Sequence, residues 1–365
     1  MKKILVVGQT PPPYGGQAIM IQNLLETSMP KIQLFHARMN FSSDMEEVGK
    51  FKINKILKLF RLILSIYFFR LRYGIDTLYY PPAPPRKVPM IRDIVILLAC
   101  RWLFRNTIFH FHAAGISEMH KGLSGLSKVA FEKAYFYPEY SITLSEYNPE
   151  DGRYFQSKYD YLIPNGLSDI SIGRQITERK NIAPVLLYVG VLTESKGVLI
   201  LLSAVLLLKN KNYNFKLVMV GRFESPEFES KVRAFIKMYS LKEYVQFTGV
   251  LTGNDKINAF ANADIFCFPS FFEAETFGLV ALEAMQFGLP VVATCWRGIP
   301  SIVRNNINGF TVPPRDADAF CERLQLLIDD LEMRSSMGKK GRDIYLSSYT
   351  AEIHFKKLHD LFTTL

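Results

Sequence analysis

Apolar residues along this chain fall into short unbroken runs that end at glycine, alternating with stretches where they recur every third or fourth position. Residues 3–8, KILVVG, open the series. QTPPPYGGQ follows, too rich in proline and glycine for regular structure, and then Ile21, Leu24 and Leu25 take the i, i+3, i+4 spacing of a helix face. The pattern starts again at VLLYVG (185–190), which leads through VLTESKG into the apolar segment VLILLSAVLLL. KLVMVG (216–221), VQFTGVL, DIFCFPS and VVATC read as further buried strands separated by helical stretches. Strands alternating with helices predict parallel sheets with right-handed crossovers, an α/β fold. Two separate openings of strand, glycine loop and helix predict two Rossmann-like halves, with the polar stretch SDISIGRQITERKN (168–181) as the boundary. A chain of 365 residues is long enough for two cores.

Composition narrows the partners. At 48% hydrophobic and 21% charged residues the chain is globular rather than disordered. A net charge of +10 points to an anionic partner. The basic residues are not interleaved with aromatic stacking motifs, so nucleic acid is not the expected one. They concentrate in KFKINKILKLFRLILSIYFFRLRYG (50–74): seven Lys or Arg and no acid stand between Glu47 and Asp76. Lys52, Lys55, Lys58 and Arg61 recur every third position, which keeps them roughly on one face of a helix. Such a segment either packs on a sheet with its lysines solvated or also lies on an anionic membrane surface. The five apolar residues after Met1-Lys2-Lys3 are too few for a signal peptide, and no uncharged run is long enough to span a bilayer, so the expected location is cytoplasmic or peripheral on the inner membrane face. Cys100, Cys267, Cys295 and Cys321 lack paired ligand spacing; those in AC, IFCF and VVATC are expected to be buried free thiols.

The densest chemistry lies in ETFGLVALEAMQFGLPVVAT (275–294). DIFCFPS reads as a strand, FFEAETFG as the loop at its carboxyl end, and LVALEAMQF as a helix stopped by Gly288 and Pro290. Ligands gather at this edge of open parallel sheets. The backbone amides of Phe277, Gly278 and Leu279, with Thr276 before them, open the helix and suit a phosphate, and glycine at 278 allows close approach. Two carboxylates beside a phosphate would repel it, but as acceptors for vicinal hydroxyls Glu275 and Glu283 suit a sugar. Amides for a diphosphate and glutamates for hydroxyls describe a sugar-nucleotide site.

The stretch PSFFEAETFGLVALEAMQFGLPVVAT resembles the signature of retaining glycosyltransferases of the GT-B fold, the "group 1" family, whose Glu-x7-Glu pattern is carried by Glu275 and Glu283. The resemblance implies two Rossmann-like domains with parallel sheets facing a central cleft: residues 1–170 plus a C-terminal helix at about 349–365 for the acceptor, and 180–345 for the donor. It implies that Glu275 contacts the donor sugar and Glu283 the ribose. Gly15 and Gly16 match the family's N-terminal glycine loop, and Lys196, in GVLTESKG, matches the lysine that pairs with the donor diphosphate and stabilises its leaving charge. Where the family often reads Gly-Arg, this chain reads Gly190-Val191; Arg222, after KLVMVG, is the candidate to supply the missing charge. His112, in HFHAAG, matches a histidine facing the donor sugar, and strand alternation puts His110 on the same side. Val250, in GVL after VQFT, is placed to present backbone to the base, and IPNG (163–166) is read as a structural turn.

The function implied is transfer of a sugar from a nucleotide-diphosphate donor to an acceptor hydroxyl with retention, with Lys196, Glu275 and His112 nearest the chemistry. The basic, apolar 50–74 segment points to a lipid-linked acceptor in surface polysaccharide assembly, such as capsule or lipopolysaccharide. Asp316-Ala-Asp318 fits a metal-binding Asp-x-Asp, but its place before the periodic helix AFCERLQLLI makes it a cap, so neither a metal nor a cofactor is expected. A dehydrogenase is disfavoured because no Gly-x-Gly-x-x-Gly follows either opening strand. A non-catalytic sugar-nucleotide binder and an epimerase on the same fold remain as alternatives.

Overall fold

The glycine-ended apolar runs become strands because β-branched and aromatic residues with no polar alternation fit a parallel sheet covered on both faces. The computed structural model describes residues 1–12, 14–41, 54–173 and 183–365. It divides into two compact units, residues 1–165 with 352–365, and residues 166–351. The division falls just before the polar stretch expected to carry it, of which 174–182 lie outside the described residues. Residues 166–170 and 349–351 go with the second unit for a local reason: Leu167 N–H donates to Tyr349 C=O at 3.0 Å, and Ala351 N–H to Leu167 C=O at 3.0 Å.

The first unit holds strands β1 (Lys2–Gly8), β2 (Ile32–Arg38), β3 (Thr77–Tyr80), β4 (Asn106–His110), β5 (Tyr140–Thr143) and β6 (Tyr159–Leu162). They form one sheet in the order β2-β1-β3-β4-β5-β6, every described pairing parallel. Alternation splits the strand residues between two faces. Leu5, Val7, Leu78, Tyr80, Phe109 and Phe111 pack into one apolar core with residues of helices Asn54–Tyr73, Lys87–Cys100 and Gly125–Tyr135. Tyr79 and His110 point the other way, toward the C-terminal helix Ala351–Thr364, where Phe362 meets the Tyr79 ring edge-on at 6.1 Å.

The second unit holds β7 (Val185–Val189), β8 (Lys216–Val220), β9 (Val245–Gly249), β10 (Ile265–Phe268), β11 (Val291–Thr294) and β12 (Gly309–Val312), in the order β12-β11-β10-β7-β8-β9. These pairings are parallel as well. The apolar segment after VLTESKG is the helix Val198–Asn210, buried with Ala317–Asp329 over the sheet. Asp316 caps the latter, its carboxylate accepting the Ala319 N–H at 2.8 Å. In each sheet the strand order reverses at one place: between β1 and β3, and between β7 and β10. A crevice opens at such a reversal beyond the carboxyl ends of the strands. One expectation fails: Cys295 is exposed just past β11, where the strand has ended, and it is Cys321, on the Ala317–Asp329 helix, that is buried with Cys100 and Cys267.

Candidate active site

The loops after β7 and β10 flank the reversal of the second sheet and meet through a backbone hydrogen bond from Phe271 N–H to Ser195 C=O, 2.9 Å. That contact sets Lys196 beside Glu275. The ammonium donates to Glu275 Oε2 at 2.6 Å and lies 4.7 Å from the centre of the Phe272 ring. Ser270 Oγ donates to the same carboxylate oxygen at 2.8 Å, and the Thr294 hydroxyl in turn holds the Ser270 carbonyl. Glu275 is buried, so its charge is balanced by a specific partner rather than by water.

Two glycines make this arrangement possible. Gly197 has φ +77°, and a Cβ there would stand 2.1 Å from the Pro269 carbonyl oxygen; the left-handed turn and the bare backbone bring the two loops together. Gly278 has φ +85° and caps the helix Leu279–Gln286; a Cβ there would stand 2.6 Å from the Phe268 ring. The sequence reading assigned Gly278 to ligand approach, whereas here the conformation and the Phe268 contact both require glycine. Gly197→Ala combines a backbone clash with a strained φ and is expected to lower stability by about 2–4 kcal/mol, read by denaturant melts. An unchanged midpoint would show that the two loops are not locked in this way.

Glu283, in the second turn of the Leu279–Gln286 helix, pairs with a residue the sequence did not single out. Lys256 Nζ, on helix Gly253–Ala261, donates to Glu283 Oε1 at 2.6 Å. Glu283 Oε2 is buried with no partner among the described residues. One oxygen is thus held while the other is left able to accept. Phe277 is buried and meets the Tyr349 ring edge-on at 5.6 Å, so its side chain is packing and its backbone alone is available to a ligand; Thr276 is buried beside it. Leu279 starts the helix, whose first-turn amides have no acceptor within it. Val191, where the resemblance leads one to expect arginine, has its carbonyl accepting from Tyr188 Oη at 2.8 Å. Arg222 follows β8, its carbonyl accepting the Leu192 N–H at 2.8 Å. Val250 is exposed past the end of β9.

In the first unit Gly15 precedes helix Gly16–Glu26 at the carboxyl end of β1. Its φ of −150° is extended backbone open to any residue, and a Cβ there would meet nothing within 4 Å. The fold does not demand that glycine; it leaves space over the sheet edge. His112 lies just past β4, its ring stacked on His110 with centroids 3.9 Å apart, so the two rings do share a side. His110 Nδ1 meets the Tyr79 hydroxyl, and its Nε2 is buried with no partner among the described residues. His354, from the C-terminal helix, approaches His110 with ring centroids 6.4 Å apart and holds the Pro164 carbonyl at 2.7 Å through Nδ1. Burial, then the neighbouring His354, pushes His112 down to about 3. Burial pushes His354 down to about 4 despite the Pro164 hydrogen bond, and burial with the other two histidines pushes His110 well below the usual value. The cluster is neutral at physiological pH.

A pair of parallel sheets with helical crossovers, each carrying candidate ligand residues at its strand-order reversal, is the GT-B glycosyltransferase fold. The sucrose-phosphate synthase of Thermosynechococcus elongatus has it: the likeness covers 100% of this chain and 99% of that one, with TM-score 0.73 at 18% identity. Anabaena HepE in complex with UDP matches over 100% of both chains with TM-score 0.73 at 17% identity. Residues 169–344 match the family model "Glycosyl transferases group 1". CapM of Staphylococcus aureus, described as a capsular polysaccharide biosynthesis glycosyltransferase, is 28% identical over 177 residues, 48% of this chain and 45% of that one. The chain spans half the length, or less, of the curated relatives it matches.

Proposed function

We propose that this chain transfers a sugar from a nucleotide-diphosphate donor to an acceptor hydroxyl, with retention of anomeric configuration, in the assembly of a surface polysaccharide. The observation that carries the reading is the Lys196–Glu275 pair at the strand-order reversal of the second sheet, beneath the start of the Leu279–Gln286 helix. Each member of that pair is the complement of one half of a sugar nucleotide. The ammonium and the helix amides suit the diphosphate; the carboxylate suits sugar hydroxyls. Donor binding exchanges one ion pair for two ligand contacts: the ammonium meets the charge of the diphosphate, and the carboxylate accepts hydrogen bonds from neutral hydroxyls. Lys196 then stabilises the diphosphate as the glycosidic bond breaks, and Glu283, held through Oε1 by Lys256, takes a ribose hydroxyl on Oε2. Within the second unit, Arg222 and the backbone at Val250 complete the donor's surroundings; in the first unit, neutral His112 can accept or donate one hydrogen bond to a sugar. The similarity of residues 169–344 to the group 1 family and the UDP held by HepE support this reading. A lipid-linked saccharide is the acceptor class that suits the basic, apolar helix Asn54–Tyr73.

A panel of UDP, GDP and ADP tests it by thermal melting. The matching nucleotide at about 100 times its Kd stabilises the fold by about 2.7 kcal/mol, and Lys196→Ala removes most of that shift. No shift with any of the three sinks the proposal. Val191 in place of arginine is the feature that favours a binder without turnover. Slow donor hydrolysis abolished by Glu275→Ala decides for the enzyme, and tight binding with no hydrolysis decides for the binder.

A further inference from the structure

On the helix Asn54–Tyr73 the residues Leu62 and Ile66 are buried in the first unit's core, as expected for a helix packed on a sheet. The opposite side is not polar. Leu57, Phe60, Leu64, Phe68 and Leu71, spaced by three or four, form a continuous stripe in solvent; Leu64 is 68% exposed and Leu71 76%. The neighbouring helix Lys87–Cys100 repeats the pattern. Every exposed residue from Val88 to Leu98 is apolar, and Trp102, 70% exposed, continues the line. The two stripes lie on helices that are joined at their C-terminal ends. Tyr67 Oη donates to the Ala99 carbonyl at 2.9 Å, Arg70 Nε to the Leu103 carbonyl at 2.8 Å, and the Tyr67 ring meets Trp102 at 6.4 Å. The helix Asn54–Tyr73 alone gives the platform a length of about 30 Å. Apolar surface of this extent on a water-soluble unit marks an interaction site.

The charges around it say what it meets. Arg61 and Arg72 are exposed along one edge of the first stripe, and Lys87 and Arg105 are exposed near the two ends of the second. No acid lies on helix Asn54–Tyr73, and Asp93, the one acid of Lys87–Cys100, is fully buried against Arg92. The exposed charges on the two helices are basic, with exposed Asp76 the acid beside Arg105 at one end. An apolar centre, a mainly basic rim and an indole at the border match the acyl region, the anionic headgroups and the interface of a lipid monolayer, in that order. A second copy of the same face would set its basic rim against an identical one. No helix among the described residues is long and apolar enough to cross a membrane, so the platform lies on the surface rather than spanning.

We propose that these two helices form a docking platform for an anionic phospholipid bilayer, seated by their apolar stripes and held by the arginines and lysines at the rim. The expectation for residues 50–74 thus widens to a second helix and Trp102, while residues 50–53 lie outside those described. The proposal stands on exposed side chains and not on the transferase reading, and its test needs no activity. The full chain is floated with vesicles of phosphatidylcholine alone or of phosphatidylcholine with phosphatidylglycerol. Binding is expected to the anionic vesicles and to weaken with salt. Arg61→Gln is expected to lower partitioning about fivefold. Leu64→Glu with Phe68→Glu, and independently Val95→Ser with Leu98→Ser, are expected to lower it about tenfold or more with the melting temperature unchanged. In a Trp296→Phe background, Trp102 is the one indole left, and its emission should shift to the blue on anionic vesicles. Failure to float with either vesicle, or equal binding to both, overturns the proposal. So does a chain that dimerises through this face, with the glutamate pair dissolving the dimer and lipid having no effect.

Discussion

Glu275→Gln is expected to lower kcat with the matching nucleotide sugar by about 10²–10³-fold, the usual cost of removing one contact that acts on developing charge. The amide keeps the size of the carboxylate and can still accept the Ser270 hydroxyl, so the loop after β10 should keep its shape. What disappears is the negative charge. Lys196, 24% exposed and stacked over Phe272, loses its counter-ion, and a sugar hydroxyl loses its strongest acceptor. Lys196→Met should cost a comparable factor. Because the two residues form one unit, the double variant should fall well short of the product of the single effects. Steady-state kinetics on the three variants reads this directly. Turnover within about threefold of the wild type in Glu275→Gln would remove the carboxylate from the reaction.

The second large effect is on stability. Acidification from pH 7 to pH 5 is expected to destabilise the first unit by about 2 kcal/mol for each of His112 and His354, with His110 acting in the same direction. The sign follows from the direction of the shifts. His112 and His354 are pushed down to about 3 and about 4 in the folded chain, and His110 lies well below its ordinary value. An unfolded histidine takes up a proton as pH falls below about 6.5, while these three stay neutral, so protons favour the unfolded chain. Stability is therefore complete above about pH 6.5, declines as pH falls, and stops declining near the folded values. Hydrogen exchange of first-unit amides at a series of pH values measures it. His354→Gln should flatten the dependence by roughly one histidine's share of about 2 kcal/mol, whereas equal slopes in variant and wild type would place the acid sensitivity elsewhere.

The sequence exposed most of what is local. Runs such as ILVVG, VLLYV and KLVMV are strands because they are apolar on both faces, and that property is written in consecutive residues. Glu275 and Glu283 were visible together because one loop and the helix after it carry both, and Lys196 was visible because it sits between a strand and a helix-capping glycine. What the sequence hid is what distant segments do to each other. Lys256 lies in an unremarkable polar turn of helix, and only the packing of Gly253–Ala261 brings it to Glu283. Ser270 reads as a strand end until its hydroxyl is seen on Glu275. His354 belongs to a cluster whose other two members are more than two hundred residues earlier in the chain. The apolar stripe of Lys87–Cys100 was equally hidden, since an apolar helix reads as core until its outward side is known.

The C-terminal helix Ala351–Thr364 buries Phe355, Leu358, Leu361 and Phe362 in a unit whose other residues end at Asn165. A ribosome therefore makes the whole of the second unit before it delivers the segment that closes the first. The earlier-made sheet must wait, with the inner side of Tyr79 and His110 uncovered, for a stretch of chain translated only after the second unit.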